Sequence, residues 1–174
     1  MALLAEQIVE EWLNRHAFFT IRGARAGASE IDILAVRPAT AGLLCRHLEV
    51  QASSNPMSFL TPATKAARKS GMGAYSPKAR TPELMRACVD EWCEKKYFSP
   101  RTVGLRDKLA PGPWQLELVV HRVKHPEELD YVRERGILIH QLDEIVEDLL
   151  ASSYPLSAAV GASLIELVGL RSRR

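Results

Sequence analysis

Apolar positions recur along the chain first at helical spacing and then at strand spacing. Leu4, Ile8, Val9, Trp12 and Leu13 share one face of a helix predicted over residues 2–16, with Glu6, Gln7, Glu10, Glu11 and Asn14 opposite. Phe18 to Arg22 reads as a short strand of aromatic and β-branched residues. Residues 22–29, small apart from Arg22 and Arg25, read as a loop. From Glu30 to Gln51, two runs of Ile, Leu and Val flank Arg-Pro-Ala-Thr-Ala-Gly, which predicts a hairpin.

Beyond a polar loop after Gln51, residues 63–70 form a weakly helical basic piece and 71–77 a loop. Thr81 and Pro82 suit the cap and first turn of a helix reaching about Tyr97, with Leu84, Met85, Cys88, Val89 and Trp92 as its apolar stripe. Of Cys88 and Cys93, one is expected to be buried and one near the surface. Pro100, Pro111, Gly112 and Pro113 mark residues 99–113 as a loop. A strand follows at 114–121, a short helix at 126–134, and a strand at 136–142 whose apolar run predicts burial on both faces, as in a parallel pair. Asp143 is expected to cap a helix ending near Leu150. Residues 156–170 complete the series as an apolar helix containing Glu166, too short and interrupted to span a bilayer. It is expected to pack on the core or on a second copy of the chain, the latter making a homodimer.

The chain has 174 residues, 47% hydrophobic and 25% charged, which predicts one globular domain and excludes a disordered class. The expected division is a domain at 1–150 with a helical extension and basic tail at 151–174. Three cysteines without metal-ligand spacing argue against zinc and for a reduced, cytoplasmic protein, with no membrane partner. Net charge is only +2, but its distribution is uneven. Residues 52–82 carry Lys65, Arg68, Lys69, Lys78 and Arg80 and no acidic residue. A basic stretch directly after the hairpin suits a polyanion such as a nucleic-acid backbone.

Asp32 lies in the run Ile31–Leu34, where an unpaired ionised carboxylate would be costly to bury. Side chains alternate along a strand, so Glu49 and Gln51 share one face, and Leu48 and Val50 the other. If the hairpin pairs Asp32 close to Glu49, two carboxylates converge and a hard cation such as magnesium is the natural occupant.

Glu6 in a first helix, Phe18-Phe-Thr-Ile-Arg22, Ile31-Asp32-Ile-Leu-Ala and Leu48-Glu49-Val-Gln51 follow one another in an order and spacing that resembles the PD-(D/E)xK nuclease superfamily, archaeal Holliday-junction resolvases in particular. The resemblance covers about residues 4–51 and extends loosely to the strands at 114–121 and 136–142. It implies an α/β, restriction-endonuclease-like core with a central mixed sheet of about five strands flanked by helices, to which the helix read at 156–170 is an extra C-terminal element. It further implies a nuclease hydrolysing DNA with Mg2+ or Mn2+ held by Asp32, Glu49 and the Val50 carbonyl. Glu6, Asp32, Glu49 and Gln51 are then the catalytic set, and Arg22, Arg25, Lys65, Arg68 and Lys69 hold the nucleic acid. Gln51 stands where the family has lysine, and an amide carries no charge. Lys65 or Lys69 are the candidates to supply it. The alternative is a non-catalytic nucleic-acid-binding or assembly module that lost turnover with its lysine.

Overall fold

The computed structural model describes residues 2–27, 29–52 and 58–151. Its elements run α1 (Ala2–Arg15), β1 (Phe19–Ala26), β2 (Ser29–Ala39), β3 (Gly42–Gln51), α2 (Lys65–Lys69), α3 (Pro82–Cys93), a π-helix (Glu94–Phe98), α4 (Pro100–Leu109), β4 (Trp114–Val120), α5 (Glu127–Glu134), β5 (Leu138–Gln141) and α6 (Leu142–Ala151). The five strands form one sheet in the order β1-β2-β3-β4-β5. The first three make an antiparallel meander, and β4 and β5 continue parallel to β3. This is the expected mixed five-stranded sheet flanked by helices.

Strand alternation divides the core in two. On one face Ile33, Leu48 and Val50 pack with Val9 and Leu13 of α1 and with Ile145 and Leu149 of α6. On the other, Leu118 and Val120 pack with Val89 and Trp92 of α3, Tyr97 of the π-helix, and Leu129 and Val132 of α5. His47, Glu49 and Gln51 lie in register with Leu116, Leu118 and Val120, so they belong to this second face.

Several expectations are corrected. Residues 100–109 are helical rather than a loop: the Ser99 side chain accepts from Thr102 N and Pro100 opens the first turn. Its inward residues are Thr102 and Arg106, so no apolar period announces it. The segment after Phe18 stays extended to Ala26, because Ala24 and Arg25 pair with Ile31 and Glu30 of β2. The loop thus shrinks to a turn at Gly27, whose φ of 68° only glycine adopts easily. Cys88 and Cys93 are both buried. β5 is parallel to β4, but it is an edge strand and Leu138 is exposed, so it is not buried on both faces. Asp143 sits within the first turn of α6 and faces His121 at 3.3 Å. The helix expected at 156–170 lies outside the described residues.

Arg80, which the sequence places in the basic stretch, is internal. It donates to Thr61 O at 2.9 Å and lies over the Phe59 ring. Glu128 of α5, fully buried, accepts from Leu60 N (2.6 Å), Thr61 N (3.2 Å) and Thr61 Oγ1 (2.7 Å). One carboxylate thereby fixes the chain at Leu60 and Thr61, ahead of α2.

Candidate active site

Ile33 pairs with Leu48 across the β2–β3 ladder, and one step further along both strands come Asp32 and Glu49. Opposed residues of an antiparallel pair share a face, so the two carboxylates converge. Asp32 Oδ2 accepts from Val50 N at 2.8 Å, which fixes its direction. Glu49 is 0% exposed and Asp32 partly buried.

The cation facing them comes from elsewhere. Lys96, in the π-helix, reaches over the strand ends: its Nζ is in ion-pair contact with Glu49 Oε2, 3.9 Å from Asp32 Oδ1, and 3.3 Å from the Glu30 carbonyl. A π-helix inserts one residue into a helical turn and re-aims the side chains after it. Here Tyr97 turns inward to donate to Glu117 O at 2.7 Å, while Lys96 points at the carboxylates. Lys65 and Lys69 do not fill this place; both lie on α2, and Lys69 is exposed.

Burial, then the charge of Glu49, raises the Asp32 carboxyl to about 6. Burial likewise raises Glu49 to about 7, against the lowering effect of Lys96. Burial opposes charge on Lys96 too, but Glu49 and Asp32 outweigh it and hold the ammonium above its ordinary value. Lys96 is therefore a standing cation near neutral pH rather than a base.

Behind Glu49 lies a buried relay. Arg106 Nη1 is 3.1 Å from His47 Nδ1, and His47 Nε2 is 3.2 Å from Glu49 Oε1. Arginine can only donate, so Nδ1 accepts and the ring proton sits on Nε2, aimed at Glu49. Burial and the charge of Arg106 push the His47 pKa down to about 3, so the ring is neutral. Arg106 is itself anchored by a bond to Tyr97 O at 2.9 Å.

The remaining sequence-derived residues divide. Glu6 of α1 faces the same strand end: burial and then Asp32 raise its pKa, while Arg22 lowers it. Gln51 ends β3 and lines a cavity of about 740 Å³ together with Lys65, Arg68, Lys95 and Lys96. Arg22 is engaged with Glu10 at 3.3 Å, and Arg25 is exposed on β1. Sequence reasoning missed Lys96, Arg106 and Lys95. Lys96 had a signal: it continues the apolar stripe of α3 by one further turn, four residues beyond Trp92, where a cation at a core position calls for a partner.

Among the described residues, no group of three or more His, Cys, Asp or Glu is placed to hold a metal ion. Glu49 Oε2, however, is buried and makes no directional hydrogen bond among them. Paired carboxylates with such an oxygen fit a hard cation, in competition with the ammonium of Lys96.

Fold and site together define a mixed α/β protein with a carboxylate pair and a lysine at the end of its central strands. No family model matches the chain, and no curated protein matches it. Among solved structures it is similar to the crystal structure of AF1548, a protein of unknown function, at 12% identity and a TM-score of 0.48, over 86% of this chain and 67% of that one.

Proposed function

We propose that this chain is a metal-dependent nuclease on a restriction-endonuclease-like core, hydrolysing phosphodiester bonds in DNA. The convergence of Asp32, Glu49 and Lys96 carries the reading: two carboxylates from adjacent strands and one fixed cation, the functional set of the resembled superfamily with its lysine supplied from a helix instead of from position 51. Asp32, Glu49 and the Val50 carbonyl would hold Mg2+ or Mn2+. That ion, when bound, would supply charge neutralisation at the phosphate and a more acidic water. Lys96 stays protonated and offers its N–H groups to the negative charge that develops on the phosphoryl oxygens. The neutral His47, oriented by Arg106, donates to Glu49 Oε1 and keeps the other carboxylate oxygen turned toward Lys96. Gln51 hydrogen-bonds water or phosphate without changing charge. Glu6 adds negative charge at the same strand end.

One observation favours a second reading, a nucleic-acid-binding module without turnover: Lys96 already neutralises the pair that would hold the ion. Incubation of labelled DNA with the full chain and Mg2+ or Mn2+ decides between them. The nuclease reading expects cleavage that Asp32→Ala abolishes and Lys96→Ala reduces about a hundredfold. Intact DNA, bound equally well with and without metal, would establish the module instead.

A further inference from the structure

The cavity beside the carboxylates is lined by more than cations. It lies between the α2–Tyr75 segment on one side and α3, the π-helix and the start of α4 on the other. Lys65, Arg68, Lys95 and Lys96 stand along it with Gln51, and Tyr75, Trp92 and Phe98 supply aromatic surface. Its two acids are already engaged. Glu91 accepts from Lys65 N at 3.1 Å through both oxygens, and Glu94 pairs with Arg135. Lys65, Arg68 and Lys95 have no ion-pair partner among the described residues, so their charge is available to an anion.

Tyr75 is 58% exposed, yet its backbone is held. The carbonyl of the preceding Ala74 accepts from Ala63 N at 2.7 Å and from Arg80 Nη2 at 3.4 Å, and Ser76 N donates to Gly73 O at 3.1 Å. An exposed aromatic on a fixed loop, facing unpaired cations, is the arrangement that binds single strands: bases stack on the ring while lysine and arginine follow the phosphates. A duplex keeps its bases stacked inside and has none to offer Tyr75.

We infer that this cavity is a single-strand channel, and that the substrate reaches Asp32, Glu49 and Lys96 as unpaired nucleotides, either single-stranded DNA or a single-stranded flap or end. The inference rests on the nuclease reading for what happens to the strand, but not for its binding.

Binding is therefore measured apart from cleavage. Fluorescence anisotropy of the full chain, with a chelator present and at low salt, compares a labelled thymidine oligonucleotide of about ten nucleotides with a duplex of equal length. The single strand is expected to bind at least about tenfold more tightly. Tyr75→Ala is expected to weaken single-strand binding about five- to a hundredfold while leaving the duplex unchanged, since stacking on one aromatic is worth that much. Arg68→Ala should lower the salt dependence on the single strand by about one ion. Equal or tighter duplex binding, or an indifferent Tyr75→Ala, overturns the channel; if the duplex is then cut with Mg2+, the nuclease reading survives alone. A single strand that binds through Tyr75 but is never cut preserves the channel and removes the nuclease. Absence of binding to either overturns the channel, and the nuclease reading then stands or falls by cleavage with Mg2+ alone.

Discussion

A fully buried carboxylate beside a second one resists ionisation, and Glu49 is in that position with Asp32 next to it. Its folded pKa of about 7 lies above the ordinary 4.5, so between those values the folded chain holds a proton that the unfolded chain has released. Stability of the metal-free protein therefore falls as pH rises through that window and levels off above it. Glu49→Gln removes this burden. It is expected to stabilise by about 1–3 kcal/mol at pH 8 and by little near pH 4, measured by urea unfolding at both values. A variant less stable at pH 8 would mean that the contact with Lys96 outweighs the desolvation of Glu49. Two residues at this scale were legible beforehand: Asp32 because charge is anomalous in an apolar strand, and Glu49 because it shares a face with Gln51. His47 stands two residues before Glu49 on β3 and so shares its face. Its tautomer depends on Arg106, a residue remote in sequence, and no local pattern encodes it.

Among the elements, the π-helix carries the most consequence for the site. It continues directly from α3, whose N-cap Thr81 accepts from Leu84 N, and it ends at Ser99, the cap of α4. Deleting Lys95 would return this turn to ordinary α-helical winding. Each residue of an α-helix turns the chain by about 100°, so Lys96 would leave the carboxylates. The expected result is a folded protein, by circular dichroism, whose cleavage of DNA falls about a hundredfold or more. Activity unchanged by the deletion would show that Lys96 has no part in it. The long strands and helices with an apolar period were readable, whereas α4 was not, because it turns Thr102 and Arg106 inward. A helix held by a cap and buried polar groups leaves no hydrophobic stripe to read. β1 was read too short for a related reason: from Arg22 to Ala26 its ladder with β2, rather than its side chains, keeps the chain extended.

At the scale of the molecule, one internal carboxylate ties the β3–β4 connection to the helix that joins β4 and β5. Glu128 of α5 holds Leu60 and Thr61, and Arg80 closes the group from the other side, 3.9 Å from Glu128. Glu128→Ala would leave two backbone N–H groups and the Thr61 hydroxyl without their acceptor, and the buried Arg80 guanidinium without its ion-pair partner. A loss of about 3–5 kcal/mol is expected in thermal or urea unfolding, and the cavity wall formed by Pro62, Lys65 and Tyr75 should loosen, raising amide exchange there. A loss under about 1 kcal/mol would mean that the segment is held by its apolar contacts instead, through Phe59 and Leu60. By itself the sequence determined the order of the strands and of the helices that carry an apolar period, and it put Asp32 and Glu49 on the two strands of one hairpin, because these come from periods of two and 3.6 residues and from a turn joining neighbours in the chain. Only the tertiary structure decided that Lys96 faces the carboxylates, that Arg80 turns inward, and that a cavity opens beside Gln51. Those outcomes depend on how α3 and its π-turn lie across the sheet, and that placement is set by the joint packing of side chains far apart in sequence rather than by any local pattern.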